Sequence, residues 1–330
     1  MKKIFLSTIG MLTLLLVACQ GENIKTEAPT SPAVKPTEDI KPSVRPTEED
    51  TYKLKLAGPG GAPAVAISEL QHTYKDEYTF NVNLAPNALR PLFANKENDI
   101  IIAPIDMGAM QYSNNSNYVL GSVLTWGNLY FASQRPNFTL ADIEGKEVIF
   151  FGENTVNEFI IKDIFFKKDI KPAVLTPLED TKLTQAKLVS DENAICVVAE
   201  PLLSAAMSKK PNITAISIQD LFKEVSGQEG FAQAGAFIKL DTINEHKSVV
   251  NKFLTRLEAS ASFALENPAK AAEYAKELEV NIPAPAKSIP NCNIKFTRAK
   301  DARTAIDYLV ELNPKYFGGA KPVDAFYYEG

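Results

Sequence analysis

The chain has 330 residues, with 35 lysines and arginines against 40 aspartates and glutamates, for a formal net charge of −5. This mildly acidic balance, without a basic patch, argues against nucleic acid as a partner. With two histidines and neither a CxxC nor an HExxH motif, we expect no transition-metal site and no cofactor.

Residues 1–18 predict a secretory signal peptide. Lys2 and Lys3 precede an apolar run that is too short to span a membrane comfortably as a helix. The run ends in Leu16-Val17-Ala18-Cys19, which resembles the bacterial lipobox, in which the cysteine is acylated and the chain is cut before it. An ordinary signal peptide with an incidental cysteine is the alternative. The lipobox interpretation predicts an anchor, such as a palmitate-bearing Cys19, on the extracytoplasmic face of the cell membrane.

Residues 19–51 predict a disordered spacer that follows the acylated cysteine. Prolines alternate with charged residues, no apolar periodicity is present, and Lys35–Asp39 recurs loosely as Arg45–Glu49. Such a segment buries too little surface to offset its ordering entropy. We therefore expect a flexible link between the membrane and a folded body of about 280 residues, which the usual domain sizes divide into two lobes.

The folded part alternates strand-like and helix-like stretches, which predicts an α/β fold with parallel sheets. The predicted strands are 53–56, 78–82, 99–103, 146–151 and 194–199. The predicted helices are 63–74, 155–168, a longer one opened by a capping box of Thr242 and Glu245, and one that starts at Asn267-Pro268. Val250, Phe253, Leu254, Leu257, Ala261 and Leu265 form the apolar stripe of the longer helix.

Several predicted strands pass into helices with almost no connection. The junctions are at Gly58–Pro63, Pro104, Gly152–Thr155 and Glu200-Pro201. Open α/β sheets bind ligands at the carboxyl ends of strands, where helix amino termini also present free N–H groups. Every α/β fold has such junctions, so the pattern predicts the position of a crevice and not its contents. The glycines at 58–61 allow a close approach to a ligand, with a plain tight turn as the alternative.

Cys196 and Cys292 remain after lipidation. Cys196 lies in an apolar run, which favours a buried free thiol over a disulfide.

Three stretches resemble the lipoprotein substrate-binding components of ABC importers, in the broad group of nitrate, sulfonate and thiamine-precursor binders. The resemblance covers residues 52–330. Its motifs are Pro104–Met107 with Asn117–Phe131, Ile282–Pro285 with Ile289–Asn293, and Leu312–Lys315 with Gly318-Gly319 and Asp324–Tyr328.

The resemblance implies an α/β type II periplasmic-binding-protein fold, with two lobes joined by two hinge strands and closing on a ligand. Lobe 1 is expected at 52–131 plus 238–330, and lobe 2 at 132–237, with crossovers near 129–134 and 231–239. The implied partners are a small-molecule solute and the permease and ATPase subunits of an ABC importer.

The candidate ligand contacts follow from the junctions. In lobe 1 they are Gly60, Gly61, Ala62, Asp106, Met107, Thr125, Trp126, Gly127 and Asn128, and in lobe 2 Asn154, Thr155, Val156 and Glu200, with Gln233 at the return hinge. Trp126 is either a platform for a planar ligand or a core indole. Asp106 and Glu200 either favour an amine or a hydrogen-bond donor, or cap their helices. No arginine lies at these junctions, which disfavours a strongly anionic ligand.

We therefore expect a tethered solute-binding protein without enzymatic activity. Two alternatives remain: an enzyme that reuses the two-lobe fold, and a surface receptor or adhesin lipoprotein. No GxSxG motif or Ser/His pairing supports the enzyme.

Overall fold

A computed structural model describes residues 50–84 and 86–330. The predicted signal peptide, Cys19 and nearly all of the predicted spacer lie outside the described residues and stay predictions. In the described part, the eleven strands are β1 (Leu54–Pro59), β2 (Tyr78–Leu84), β3 (Ile100–Pro104), β4 (Tyr118–Trp126), β5 (Leu129–Ser133), β6 (Glu147–Phe151), β7 (Val174–Leu178), β8 (Ile195–Ala199), β9 (Thr214–Ser217), β10 (Ala232–Lys239) and β11 (Ile294–Arg298).

Thirteen α-helices connect and cover these strands in the same described ranges. They are α1 (Ala62–Ala66), α2 (Ser68–Tyr74), α3 (Pro86–Asn95), α4 (Ile105–Ser113), α5 (Val156–Lys167), α6 (Thr181–Ser190), α7 (Leu202–Lys209), α8 (Ile218–Ser226), α9 (Leu240–Glu245), α10 (Lys247–Glu266), α11 (Pro268–Ala275), α12 (Pro285–Ser288) and α13 (Ala299–Leu312). Short 3₁₀ helices span residues 140–143, 276–278, 290–292, 314–317 and 324–326.

The strands form two mixed sheets. The first has the order β11-β4-β10-β3-β1-β2, and the second has the order β7-β6-β8-β5-β9. β1 runs parallel to β2 and β3, and β6 runs parallel to β7 and β8. β10 is antiparallel to β3 and β4, and β5 is antiparallel to β8 and β9. The prediction of parallel sheets is therefore confirmed for the pairs of β1 and of β6, and it was wrong for the pairs that involve β4, β5 or β10.

The apolar strands lie at the centres of the sheets. Ile100–Ala103 of β3 and Ile195–Ala199 of β8 are buried throughout. Strands covered on both faces are expected to read as continuous apolar runs. One hydrophobic cluster extends from the first sheet into the second, and includes Phe237 of β10, Phe131 of β5 and Phe159 of α5. Cys196 and Cys292 are both buried and free, as expected for Cys196.

The chain crosses between the sheets at 127–128 and returns at 227–231. β5 and β10, which the sequence predicted as hinge segments, are full members of the second and the first sheet respectively. The division that we now propose therefore assigns 50–126 plus 232–330 to lobe 1 and 129–226 to lobe 2. Its boundaries differ from the predicted ones by up to about eleven residues. A hydrogen bond from the Gly127 N–H to the Phe231 carbonyl, at 3.0 Å, joins the two crossings.

Two helix predictions were wrong in detail. The stretch 63–74 is two helices, because Ile67 leaves the helical region at φ −100° and ψ 1°. Thr242 lies inside α9 and does not cap the longer helix, since its hydroxyl donates to the buried Asp99 carboxylate at 2.7 Å. The predicted stripe of α10 is buried except for Leu265, which is exposed.

Candidate functional site

A cavity of about 230 Å³ lies between the two sheets. It is bounded by the carboxyl ends of β1, β3, β6 and β8 and by the start of β10, where both crossings run. Ligands bind at this edge of open α/β sheets. The lining residues are Pro59, Gly60, Gly61, Ala62, Pro63, Leu89, Pro104, Thr125, Asn128, Phe151, Gly152, Thr155, Val156, Asn157, Glu179, Thr181, Ala199, Glu200, Gln233 and Ala234.

The cavity brings together many of the residues that the sequence singled out. Those that line it are Gly60, Gly61, Ala62, Thr125, Asn128, Thr155, Val156, Glu200 and Gln233. The predicted residues outside this lining are Asp106, Met107, Trp126, Gly127 and Asn154. Contact with a ligand stays a prediction for every residue of both groups.

The sequence reasoning missed the junction after β7, which also lines the cavity. Glu179 and Thr181 follow β7, an edge strand that contains Pro177 and has no fully buried residue. Its sequence therefore lacks the apolar run that marked the other strands. The repeated strand-to-helix junction was the available signal, because Asp180 caps α6 by accepting the Leu183 N–H at 2.9 Å.

A sharp turn brings α5 to the cavity directly after β6. Gly152 has φ +83°, and a Cβ there would lie 2.7 Å from the Thr155 hydroxyl, so the turn requires glycine. Thr155 then caps α5 by accepting the Asn157 N–H at 3.2 Å. The Glu158 carboxylate accepts the Asn154 N–H at 2.6 Å. The amino terminus of α5 is thereby fixed at the cavity wall.

Asp106 connects the two lobes beside the cavity. It lies in the first turn of α4, is 4% exposed, and its Oδ2 accepts the Val156 N–H at 2.9 Å. Its Oδ1 is buried and has no hydrogen-bond partner among the described residues. Burial raises the pKa of Asp106, while the backbone N–H groups of Val156, Met107 and Asp106 itself oppose that rise. Asp106 therefore caps a helix, which was one of the two interpretations of the sequence. The helix that it caps is α5 of the opposite lobe and not its own helix α4.

Glu200 lines the cavity from the second lobe and is 3% exposed. Its Oε2 accepts the Ser204 N–H at 3.0 Å, and its Oε1 accepts the Ser204 hydroxyl at 2.7 Å. Burial raises the pKa of Glu200, and hydrogen bonds from Ser204 and from the Asn291 side chain lower it. A carboxylate has about four acceptor positions, so these bonds leave capacity for a further donor. Glu200 thus both caps α7 and faces the cavity.

Asn128 lies where the two crossings and the cavity meet. Its N–H donates to the Gln233 side-chain oxygen at 3.2 Å, and its Nδ2 donates to the Glu200 carbonyl at 3.1 Å. Its backbone carbonyl accepts the Glu200 N–H at 3.1 Å. Asn128 therefore links the first crossing to the return strand and to the segment that leads into α7.

Trp126 is not part of the cavity lining. Side chains alternate along a strand, and its neighbour Thr125 takes the cavity side of β4. The Trp126 indole N–H donates to the Lys295 carbonyl at 3.0 Å, and the Lys295 ammonium lies 5.7 Å from the ring centre. The indole packs at the margin of the hydrophobic cluster that extends across both sheets.

Charge and metal ligands are sparse in the described part of the cavity. No lysine, arginine or histidine occurs among its described lining residues. Within residues 50–84 and 86–330, no group of three or more His, Cys, Asp or Glu side chains is arranged to hold a metal ion. Across those same ranges, no helix combines the length and the apolar character that a membrane crossing requires.

Comparison with solved structures places this architecture in a known fold. An ABC transporter structure from Parabacteroides distasonis matches with a TM-score of 0.72 at 21% identity, over 85% of this chain and 99% of that one. The ligand-binding component of an ABC-type import system from Staphylococcus aureus, with zinc bound, matches with a TM-score of 0.62 at 11% identity, over 84% and 96%. The periplasmic aliphatic sulphonate binding protein SsuA from Escherichia coli matches with a TM-score of 0.58 at 14% identity, over 81% and 90%.

These likenesses show the fold. The chain has the α/β periplasmic-binding-protein fold, and the fold class predicted from the sequence is confirmed. No protein-family model matches the sequence, and the search of curated proteins finds no significant match.

Proposed function

We propose that this protein is the solute-binding component of an ABC importer, which captures a small molecule between its two lobes and delivers it to a permease. The observation that carries the proposal is the cavity between the sheets, at the strand ends where this class of fold can hold a ligand. The structural neighbours from Parabacteroides distasonis and Staphylococcus aureus, which belong to ABC systems, support it.

The two crossings are the proposed hinge. Two short backbone segments, 127–128 and 227–231, join the sheets. Rotation about a few residues moves two packed lobes with little disturbance of their interiors. A solute that contacts both lobes would favour the closed form, and that form is the one that we propose a permease recognises.

The proposed contacts are the candidate residues that line the cavity, together with Asn157 and Thr181. Asp106, Met107, Trp126, Gly127 and Asn154 are outside the lining and are assigned a supporting role. We propose that the protein is not an enzyme, since the two buried carboxylates serve as helix caps and no nucleophile–base pair was identified in the cavity among its described lining residues.

The proposal includes a tether at the amino-terminal end. Acylated Cys19 would hold the protein on the extracytoplasmic face of the cell membrane, and residues up to about 51 would space the folded body from the lipid. A tether raises the local concentration of the binding protein at its permease. The permease and the ATPase subunits of the importer are the proposed partners.

Thermal unfolding with fractionated small metabolites tests the solute-binding step. A fraction that contains the solute at about one hundred times its Kd should stabilise the full chain by about 2.7 kcal/mol, and therefore raise its Tm by several degrees. Two cavity-filling variants, Ala234→Leu in lobe 1 and Ala199→Leu in lobe 2, are expected to lose that shift. If no fraction stabilises the wild type, or if both folded variants keep the full shift, the cavity does not have the proposed role.

A further inference from the structure

The walls of the cavity combine apolar surface with negative charge. Pro63, Leu89 and Phe151 contribute apolar groups, and Glu179 and Glu200 contribute carboxylates. Since no basic side chain is present among the described lining residues, an anion placed here would lose its hydration without meeting an opposite charge.

Three helix amino termini near the cavity, those of α5, α6 and α7, already carry a carboxylate of this chain. Backbone N–H groups and the positive end of the helix dipole make such termini natural anion sites. Three helices of lobe 2 begin at the cavity wall, and each donates a first-turn N–H to an aspartate or glutamate. The pairs are Val156 to Asp106 at 2.9 Å on α5, Leu183 to Asp180 at 2.9 Å on α6, and Ser204 to Glu200 at 3.0 Å on α7. An anion bound at any of these three termini would therefore lie close to a carboxylate of this chain, which opposes its binding.

An unpaired acceptor lies in the same lining. Asn128 is 6% exposed, and its Oδ1 has no hydrogen-bond partner among the described residues. The orientation of the amide is fixed, because its Nδ2 donates to the Glu200 carbonyl and a carbonyl can only accept. A buried acceptor without a donor is unfavourable, so an N–H or O–H group of a ligand would complement it.

From these three features we propose that the cavity takes a small molecule of zero or positive charge that donates hydrogen bonds, such as an amine, amidine or amide, and that it rejects carboxylates and sulfonates. Asn128 and the Glu200 carboxylate are the specificity-determining acceptors. The inference rests on the proposed solute-binding function and adds the class of solute to it.

The test uses three probes that share a phenyl ring and differ in charge: benzamidine, benzamide and benzoate. The full chain is held in lipid nanodiscs, and binding is followed by saturation-transfer NMR, with empty nanodiscs as the blank. Benzamidine and benzamide are expected to bind at least about tenfold more tightly than benzoate. Ala234→Leu and Ala199→Leu, which fill the cavity from opposite lobes, are expected to remove that binding.

Two carboxylate variants make the test specific. Glu200→Gln is expected to reduce the preference for benzamidine over benzamide about tenfold, because it removes the charge and keeps the size of the side chain. The matched control is Glu224→Gln, whose carboxylate pairs with Lys168 on the protein surface and which should leave the preference unchanged.

The outcomes separate this inference from the function on which it rests. If benzoate binds as tightly as benzamidine and the cavity-filling variants abolish that binding, the charge preference is wrong. The proposal that the cavity binds a solute is then still supported. If none of the three probes gives a signal that depends on the cavity, the inference also fails. Solute binding itself is then judged by whether the purified protein retains a natural solute.

Discussion

Replacing Asp106 with alanine is expected to weaken the contact between the two lobes. In the wild type, its Oδ2 accepts the Val156 N–H at 2.9 Å, from the first residue of α5. Both residues are buried, at 4% and 2% exposure, so water cannot readily replace the lost acceptor.

The magnitude follows from two opposing effects. A buried N–H left without a partner costs about 1–3 kcal/mol, and a hydrogen bond to a charged group contributes about 1.5–3 kcal/mol. Removal of the carboxylate also relieves its burial, which is already unfavourable because Oδ1 is unpaired. We therefore expect Asp106→Ala to lower the free energy of unfolding by about 2 kcal/mol. Asp106→Asn keeps an acceptor for Val156 and should cost about 1 kcal/mol or less.

Equilibrium urea unfolding of the full chain, followed by circular dichroism, measures these differences. Asp301→Ala is the matched control, because Asp301 also lies in the first turn of a helix but is exposed. Its loss should cost only about 0.5 kcal/mol. The reasoning is refuted if Asp106→Ala costs no more than the control, or if Asp106→Asn is as damaging as Asp106→Ala.

Three further substitutions have defined outcomes. Gly235→Ala should cost about 1–3 kcal/mol in urea unfolding, because its Cβ would lie 2.5 Å from the Ser122 carbonyl oxygen on the neighbouring strand; an unchanged midpoint would show that β10 and β4 can separate freely. Burial raises the pKa of Glu200 above its usual 4.5. The folded state therefore favours the protonated carboxyl, and this contribution to the free energy of unfolding is complete below about pH 4.5. It is lost as the pH rises through the pKa of the folded state. Glu200→Gln should therefore gain stability relative to the wild type from pH 4.5 upward, and a difference that is constant with pH would contradict the shift. Cys19→Ala should leave solute affinity intact and impair uptake by cells; a fall in affinity would show that the anchor and the binding body are not independent.

The sequence located the cavity well because the relevant signal is local. A buried strand that ends at Pro104, Phe151 or Ala199 and passes at once into a turn or helix can be read from a few consecutive residues. The carboxyl ends of such strands then meet at a common edge by topology. The sequence did not predict the junction after β7, because this edge strand contains a proline and has no apolar run.

The side-chain roles could not be predicted in the same way, because they depend on distant partners. Asp106 and Val156 are fifty residues apart in the chain, and only the packing of the lobes brings them into contact. Thr242 fits a capping box locally, yet the buried Asp99 competes for its hydroxyl. Trp126 and Thr125 are adjacent in sequence, and the direction of β4 alone decides which of them faces the cavity.

Native mass spectrometry of the full chain, purified from cells without added ligand, tests the central claim most directly. The account predicts that the wild type carries a substoichiometric or stoichiometric extra mass of one small molecule, that mild activation releases it, and that Ala234→Leu and Ala199→Leu lack it. A wild-type protein that is empty from every growth condition, or an extra mass that both cavity-filling variants retain, would contradict the claim that this chain binds a solute between its two lobes.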